Sequence, residues 1–283
     1  MDLILYDWYD QVKPDRKEPE ERMSAEAELA VGVAIVTGAA SGIGRACAER
    51  LADEFTVVLV DRDREAVERV ADGLRAVGRT VLPHELDVTD LDGQEALFDH
   101  LRSEGHRLRV LVSAVSLEIH GGLFEIDEAG LRASFEATVV SAFRLMRNSI
   151  DMMRASGSGR IVVINSLHAT EPFLDALAYN VVEAGLRQLS LSVAHEVVSS
   201  GIAINLIVPG WVDTPGERRW LSGEEIARVG TRLPLKRPAS AEEIADAAFF
   251  LASSSARYIT GTELRVDGGM GLTMASLPFL DAT

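Results

Sequence analysis

The sequence predicts an α/β fold: a single doubly wound domain around a mostly parallel, seven-stranded sheet. Three observations predict it. Short β-branched runs alternate with segments of helical period, the pattern of βαβ units joined by right-handed crossovers. Those runs are continuously apolar, as strands covered on both faces are. From residue 31 onward no linker or short-period repeat divides the chain, and 283 residues are within reach of one large α/β domain.

The runs place strands at Val31–Thr37, Thr56–Val60, Thr80–Pro83, Val110–Val112, Ile161–Ile164, Ile202–Val208 and Leu264–Val266. Apolar residues at helical spacing place helices at Arg64–Val77 and Leu91–Arg102. Ser240-Ala241-Glu242-Glu243 opens a late helix, because a serine followed three residues later by glutamate satisfies two orphan amides reciprocally. Residues 1–30 differ from this pattern: an aromatic patch with Tyr6, Trp8 and Tyr9 precedes the charged stretch Lys13–Arg22. They read as an N-terminal extension, either loosely docked or packed on a neighbouring subunit, and residues 31–283 as the domain.

Composition narrows the partners. The formal charge of −16 argues against nucleic acid or an anionic membrane, since either needs a basic patch. The single cysteine, Cys47, excludes an internal disulfide. No apolar run reaches the ~18 residues of a membrane span, the first residues lack a signal-peptide pattern, and no Cys/His cluster has metal spacing. A cytoplasmic protein acting on a small molecule, without a metal, is the expectation.

Thr37-Gly38-Ala39-Ala40-Ser41-Gly42-Ile43-Gly44 closes the first strand and opens the first helix. Glycines there allow a tight turn and close backbone approach to a pyrophosphate at the positive helix end. Asp61 ends the second strand, where a carboxylate can accept both adenosine ribose hydroxyls and repel a 2′-phosphate. That favours NAD over NADP; Arg62, next in sequence, is the counter-argument, since a guanidinium can pair with that phosphate.

The spacing G-x-x-x-G-x-G, with most of residues 31–270, resembles the short-chain dehydrogenase/reductase family, whose domain is a Rossmann fold. The resemblance implies that Gly38, Ser41, Gly42, Ile43 and Gly44 cradle the cofactor, and that Asp87 and Val88 meet its adenine. Ala114 borders it beyond the fourth strand, and Pro209, Val212 and Thr214 hold the nicotinamide. It also implies a dimer or tetramer. The stretch Pro209 to Arg218 is similar to a bacterial subgroup labelled glucose-1-dehydrogenase-like, and residues 211–236 read as a substrate lid.

Ser166 precedes Tyr179 by 13 residues, the spacing at which the family keeps a substrate-orienting serine and an acid/base tyrosine that also borders the cofactor. Four residues after Tyr179, on the same helix face, the family has a lysine that acidifies the tyrosine; this chain has Glu183. A carboxylate there reverses the sign, raising the tyrosine's pKa. Glu183 is then either a base in its own right, if burial lifts its pKa, or a helix residue turned out to solvent. Two further departures concern the same relay. Thr138 stands where an asparagine is expected, and Ser113-Ala114-Val115-Ser116 replaces Asn-Asn-Ala-Gly, so Ser116 adds a side chain beside the cofactor path. His168, Trp211 and His120 are candidate pocket residues.

The reading is an NAD-dependent oxidoreductase interconverting a secondary alcohol and a ketone through a modified relay of Ser166, Tyr179 and Glu183. The alternatives are a dinucleotide-binding homologue without redox turnover, serving as scaffold or sensor, and a non-redox elimination, isomerisation or cyclisation.

Overall fold

The computed structural model describes residues 32–273. The aromatic patch of the N-terminal extension lies outside them. Seven strands form one sheet in the order β3-β2-β1-β4-β5-β6-β7. They are β1 Val33–Thr37, β2 Thr56–Asp61, β3 Val81–Glu85, β4 Leu108–Ser113, β5 Gly159–Ile164, β6 Ile202–Pro209 and β7 Glu263–Val266. Every pair is parallel, which bears out the expected parallel seven-stranded sheet. The last strand keeps this direction because two helices separate it from β6, returning the chain to the starting edge of the sheet.

Two helical layers cover the sheet. On one face pack α1 (Gly42–Leu51), α2 (Arg64–Ala76) and a late helix, α8 (Ala241–Ala252). The other face carries α3 (Leu91–Ser103), α5 (Ser141–Ser156) and α6 (Leu177–Val197). Alternation within strands divides the core: Ala34 and Val36 of β1 face the first layer, and Val33 and Ile35 the second. Cys47 is buried in the first layer, where burial pushes its thiol up to about 12. Among the described residues no helix is long and apolar enough to cross a membrane.

Most expected boundaries move by one or two residues, and one helix carries an unexpected turn. The strand expected at Val110–Val112 begins at Leu108, because Arg109 lies inside it fully buried, its guanidinium donating to Ser158 Oγ at 2.9 Å. The third strand runs two residues further than expected and carries Pro83, tolerated because β3 is an edge strand. Between α4 (Glu128–Phe135) and α5 the helix makes one π turn, Glu136–Val140. Such bulges re-aim side chains inside a helix, and this one carries Thr138.

Strand order reverses between β1 and β4, so a crevice opens at their carboxyl ends, where doubly wound sheets bind ligands. After β6 the chain leaves the sheet at Trp211 and returns at Ala239. Asp213 N–H donates to Ala239 O and Ala239 N–H to Trp211 O, closing the base of the excursion. The excursion holds a short 3₁₀ turn, Glu217–Arg219, and α7 (Gly223–Gly230), which starts with a Ser222/Glu225 capping box. The predicted capping box at α8, Ser240 with Glu243, is present.

Candidate active site

The glycine-rich turn has the geometry its composition predicts. Gly38 and Gly42 lie at φ +69° and +54°, left-handed conformations that favour glycine. A Cβ on Gly44 would stand 2.3 Å from Gly38 O, so no side chain fits where α1 meets the turn. Ser41 caps α1 without a side-chain hydrogen bond, leaving first-turn amides open to an anion. Thr214 sits above this turn, its Cβ 3.6 Å from where a Gly42 Cβ would lie.

A cavity of about 840 Å³ runs from Gly38 and Ser41 past Asp61, Arg62, Asp87 and Val88 to Ala114. Asp61 is held by two backbone donors: Ala40 N–H on Oδ2 and Asp63 N–H on Oδ1, both at 3.0 Å. The Asp87 carboxyl titrates below its usual range because Thr89 donates to it through backbone and hydroxyl. Arg62 is exposed on the cavity rim. Glu136, absent from the sequence reading, also lines it, as does Arg219 from the excursion expected to serve as the substrate lid. The expected dinucleotide residues are therefore brought together. An uncapped helix end, a cradle that a Cβ would fill and a fixed carboxylate fit a dinucleotide.

This cavity adjoins a second, of about 800 Å³, through the shared residues Ser41, Ala114 and Ser116. Ser166, His168, Tyr179, Glu183, Pro209, Trp211, Val212 and Thr214 all line the second, and Ser116 lines both. Tyr179 and Glu183 are positioned by the start of α6. Gly121 N–H donates to Asp175 O and Leu177 N–H to Gly121 O, pinning the first turn of that helix to the loop beyond β4.

Glu183 is not turned out to solvent. It is 1% exposed, and its carboxylate is fully engaged. Asn165 Nδ2 donates to Oε2 at 2.7 Å and also to Glu183 O at 3.0 Å. Ser116 Oγ donates to Oε1 at 2.7 Å. Since Ser116 has given its proton to the carboxylate, the 3.1 Å contact between the two hydroxyls must run from Thr138 Oγ1 to Ser116 Oγ. Thr138 in turn accepts from Leu117 N–H at 3.1 Å. Leu117, Thr138, Ser116 and Glu183 thus form one directed chain that delivers hydrogen-bond donors to a buried carboxylate.

Burial outweighs these donors and raises the Glu183 carboxyl from 4.5 to about 7, with Ser116, Tyr179 and Asn165 pulling the other way. Tyr179 is pushed well above its usual value of 10.0, first by burial and then by the Glu183 charge, while Ser166 and Ser116 hydrogen bonds oppose the rise. Ser166 Oγ accepts from His168 N–H at 3.3 Å.

The His168 tautomer follows from its neighbours. Asn180 Nδ2 donates to Phe173 O and Asn180 Oδ1 accepts from Phe173 N–H, which fixes the amide. Its Oδ1 faces His168 Nδ1 at 2.7 Å, so Nδ1 carries the proton and Nε2 keeps its lone pair. The imidazole stacks on Phe173 at 4.1 Å and meets Tyr179 edge-on at 4.7 Å. Burial lowers its pKa first, so the ring is neutral at pH 7. His120, exposed, lies 3.6 Å from Glu118, and both line the second cavity.

Sequence reasoning missed Asn165 and Glu118, while Glu217 falls within the expected lid. Asn165 directly precedes Ser166 at the end of β5, and that adjacency was the one available signal. Among the described residues no cluster could hold a metal ion.

Comparison with known proteins agrees with this geometry. Residues 38–271 match a family model described as enoyl-(acyl carrier protein) reductase. The chain is 37% identical over 238 residues to cis-4-hydroxycyclohexanecarboxylate dehydrogenase of Sinomonas cyclohexanicum, which covers 84% of this chain and 95% of that one. It is 35% identical over 239 residues to the 3-oxoacyl-(acyl-carrier-protein) reductase FabG of Escherichia coli (strain K12), covering 84% and 96%. Among solved structures it is similar to L-sorbose reductase from Gluconobacter frateurii complexed with NADPH and L-sorbose. The TM-score is 0.80 at 32% identity, covering 86% of this chain and 97% of that one.

Proposed function

Because the chain belongs to the short-chain dehydrogenase/reductase family of NAD(P)-dependent oxidoreductases, we propose that it interconverts a secondary alcohol and a ketone with Glu183 as the proton store of the relay. One observation carries this reading: a fully buried carboxyl, held by donors from Ser116 beyond β4 and Asn165 after β5, beside Tyr179. A bound nicotinamide would take the hydride from the alcohol carbon or return it to the ketone.

The protein's own residues move the proton. Ser166 Oγ accepts from His168 N–H and its hydroxyl bonds Tyr179, and on substrate binding that hydroxyl turns to polarise the substrate oxygen. In oxidation, the hydroxyl proton passes to Tyr179 Oη as the tyrosine's proton passes to the Glu183 carboxylate. Free phenolate, which the shifted tyrosine hardly populates, is never needed. In reduction the same two transfers run backwards from protonated Glu183. A base that titrates at about 7 suits both directions near neutral pH.

The proposal assigns the dinucleotide to the cradle of Gly38, Ser41, Gly42, Ile43 and Gly44, with Asp87, Val88, Ala114, Pro209, Val212 and Thr214 along its length. NAD is preferred, since Asp61 presents a fixed carboxylate where a 2′-phosphate would lie. Residues 211–236 act as the lid over the substrate cavity, and His168 and Trp211 belong to its wall. A cytoplasmic dimer or tetramer completes the proposal, on family resemblance.

A panel of secondary alcohols and ketones tests it, followed by the absorbance of reduced nicotinamide across the neutral pH range. Oxidation rate rises with pH through about 7 and reduction rate falls through the same midpoint. Dinucleotide binding without absorbance change on any member refutes the proposal in favour of a non-redox role.

A further inference from the structure

The two cavities differ in their cations. The dinucleotide end carries two guanidinium groups, Arg62 just after β2 and Arg219 from the excursion, together with Asp61, Asp63, Asp87 and Glu136. At the substrate end, among the described residues, no lysine or arginine lines the wall, and three carboxyl groups do, Glu118, Glu183 and Glu217. Glu183 is committed to the relay. Glu217 accepts from Trp211 Nε1 at 3.0 Å and keeps one oxygen outside that bond. Glu118 lies 3.6 Å from His120 on the exposed side of the cavity, and its carboxyl is raised first by burial, eased by that imidazole and raised again by Glu217.

Two further features of this end point to a ligand rather than to a solvated acidic patch. His168 turns a defined tautomer on the cavity, with its one proton already given to Asn180, so it has only a lone pair to offer. Phe173, Trp211 and Trp220 line the same space, and aromatic faces attract both apolar groups and cations. Among the described residues the wall thus holds carboxyls, π-faces and two imidazoles, and an anionic substrate would meet carboxylates offset by no cation other than the exposed His120 imidazole.

We propose that this cavity takes a substrate bearing a protonated amine on an apolar or aromatic body beside its hydroxyl or keto group, with Glu118 pairing with the ammonium. The inference rests on the oxidoreductase reading for the reacting carbon, but binding tests it separately. Three size-matched probes differ only in charge: 2-amino-1-phenylethanol, 1-phenyl-1,2-ethanediol and mandelate. Calorimetry on the full chain saturated with reduced dinucleotide reads their affinities without turnover, since an alcohol has nothing to reduce there.

The amino alcohol binds about tenfold or more tightly than the diol, as a charge-assisted pair requires, and mandelate binds more weakly than either. Glu118→Gln, checked for an unchanged melting profile and dinucleotide affinity, collapses the ratio of amino alcohol to diol toward one. Added salt narrows that ratio in the native chain. Equal affinities, tighter mandelate binding, or a ratio that survives Glu118→Gln overturns the inference. Tight ammonium binding with no hydride transfer to oxidised dinucleotide would instead sink the oxidoreductase reading and leave this one standing.

Discussion

Replacing Glu183 by glutamine isolates the energetic consequence of its burial. Glutamine keeps the shape and the partners: its oxygen accepts from Asn165 Nδ2, and its amide donates to Ser116 Oγ, which is freed to accept. Only the ionisation is lost. In the native chain the carboxyl titrates near 4.5 when unfolded and at about 7 when folded. Below pH 4.5 it is protonated in both states and contributes no pH dependence. Between 4.5 and 7 the folded state binds more protons than the unfolded one, so stability falls as pH rises. Above 7 the full cost is present, about 3 kcal/mol at about 1.4 kcal/mol per pH unit of difference.

Glu183→Gln therefore lies close to the native chain in stability at pH 5 and exceeds it at pH 8 by up to about 3 kcal/mol. For a domain of this size that is a rise in Tm of roughly 6–12 °C. Differential scanning calorimetry of both proteins across this range checks it, and taking the difference cancels titrations common to both. A stability difference that stays flat from pH 5 to 8, or one in which the variant loses ground as pH rises, refutes the assignment of Glu183 as the raised carboxyl.

Other perturbations separate the remaining roles. Tyr179→Phe keeps the edge-on contact with His168 and removes only the hydroxyl; turnover falls by about 10²–10⁴ while dinucleotide affinity, read by calorimetry, holds. Asp61→Asn removes the charge beside the expected ribose and shifts the ratio of NAD to NADP affinity toward NADP by about tenfold or more; competitive binding measures it. Gly44→Ala forces a Cβ onto Gly38 O at 2.3 Å, and loses dinucleotide binding together with several degrees of Tm.

What was legible in the sequence was local. The glycine turn announces itself because its conformations exclude side chains at Gly38, Gly42 and Gly44, and β1 and β6 because continuous apolar runs have few other uses. The capping box at Ser240 was readable for the same reason, its two partners being three residues apart. Where the determinant is distant, the reading stops. Helical spacing puts Glu183 on the Tyr179 face but does not say what covers that face. Its partners come from beyond β4 and the end of β5, 67 and 18 residues away, and a π turn supplies the next hydroxyl in the chain. The π turn has no period of its own to betray it, and Arg109 shortened the apparent β4 because its burial depends on Ser158, 49 residues away.

On the proposed family resemblance, the three departures at Glu183, Thr138 and Ser116 are physically one. A lysine at position 183 would need acceptors, and the family's asparagine and glycine at positions 138 and 116 leave room for water to provide them. A carboxylate needs donors, and Thr138 and Ser116 supply them in series, with the proton order set by the single hydroxyl hydrogen each can give. Ser116 is therefore the group that stabilises the Glu183 charge. Ser116→Gly, which restores the family's residue, removes that donor while the burial remains. The Glu183 midpoint then moves above 7, and with it both limbs of the pH–rate profile, although Ser116 touches neither Ser166 nor the reacting carbon. If the midpoint stays put, the chain of hydroxyls is structural only. A shift toward lower pH would mean that solvent reaching Glu183 outweighs the lost donor, so the carboxyl's raised midpoint comes from Ser116 keeping water out.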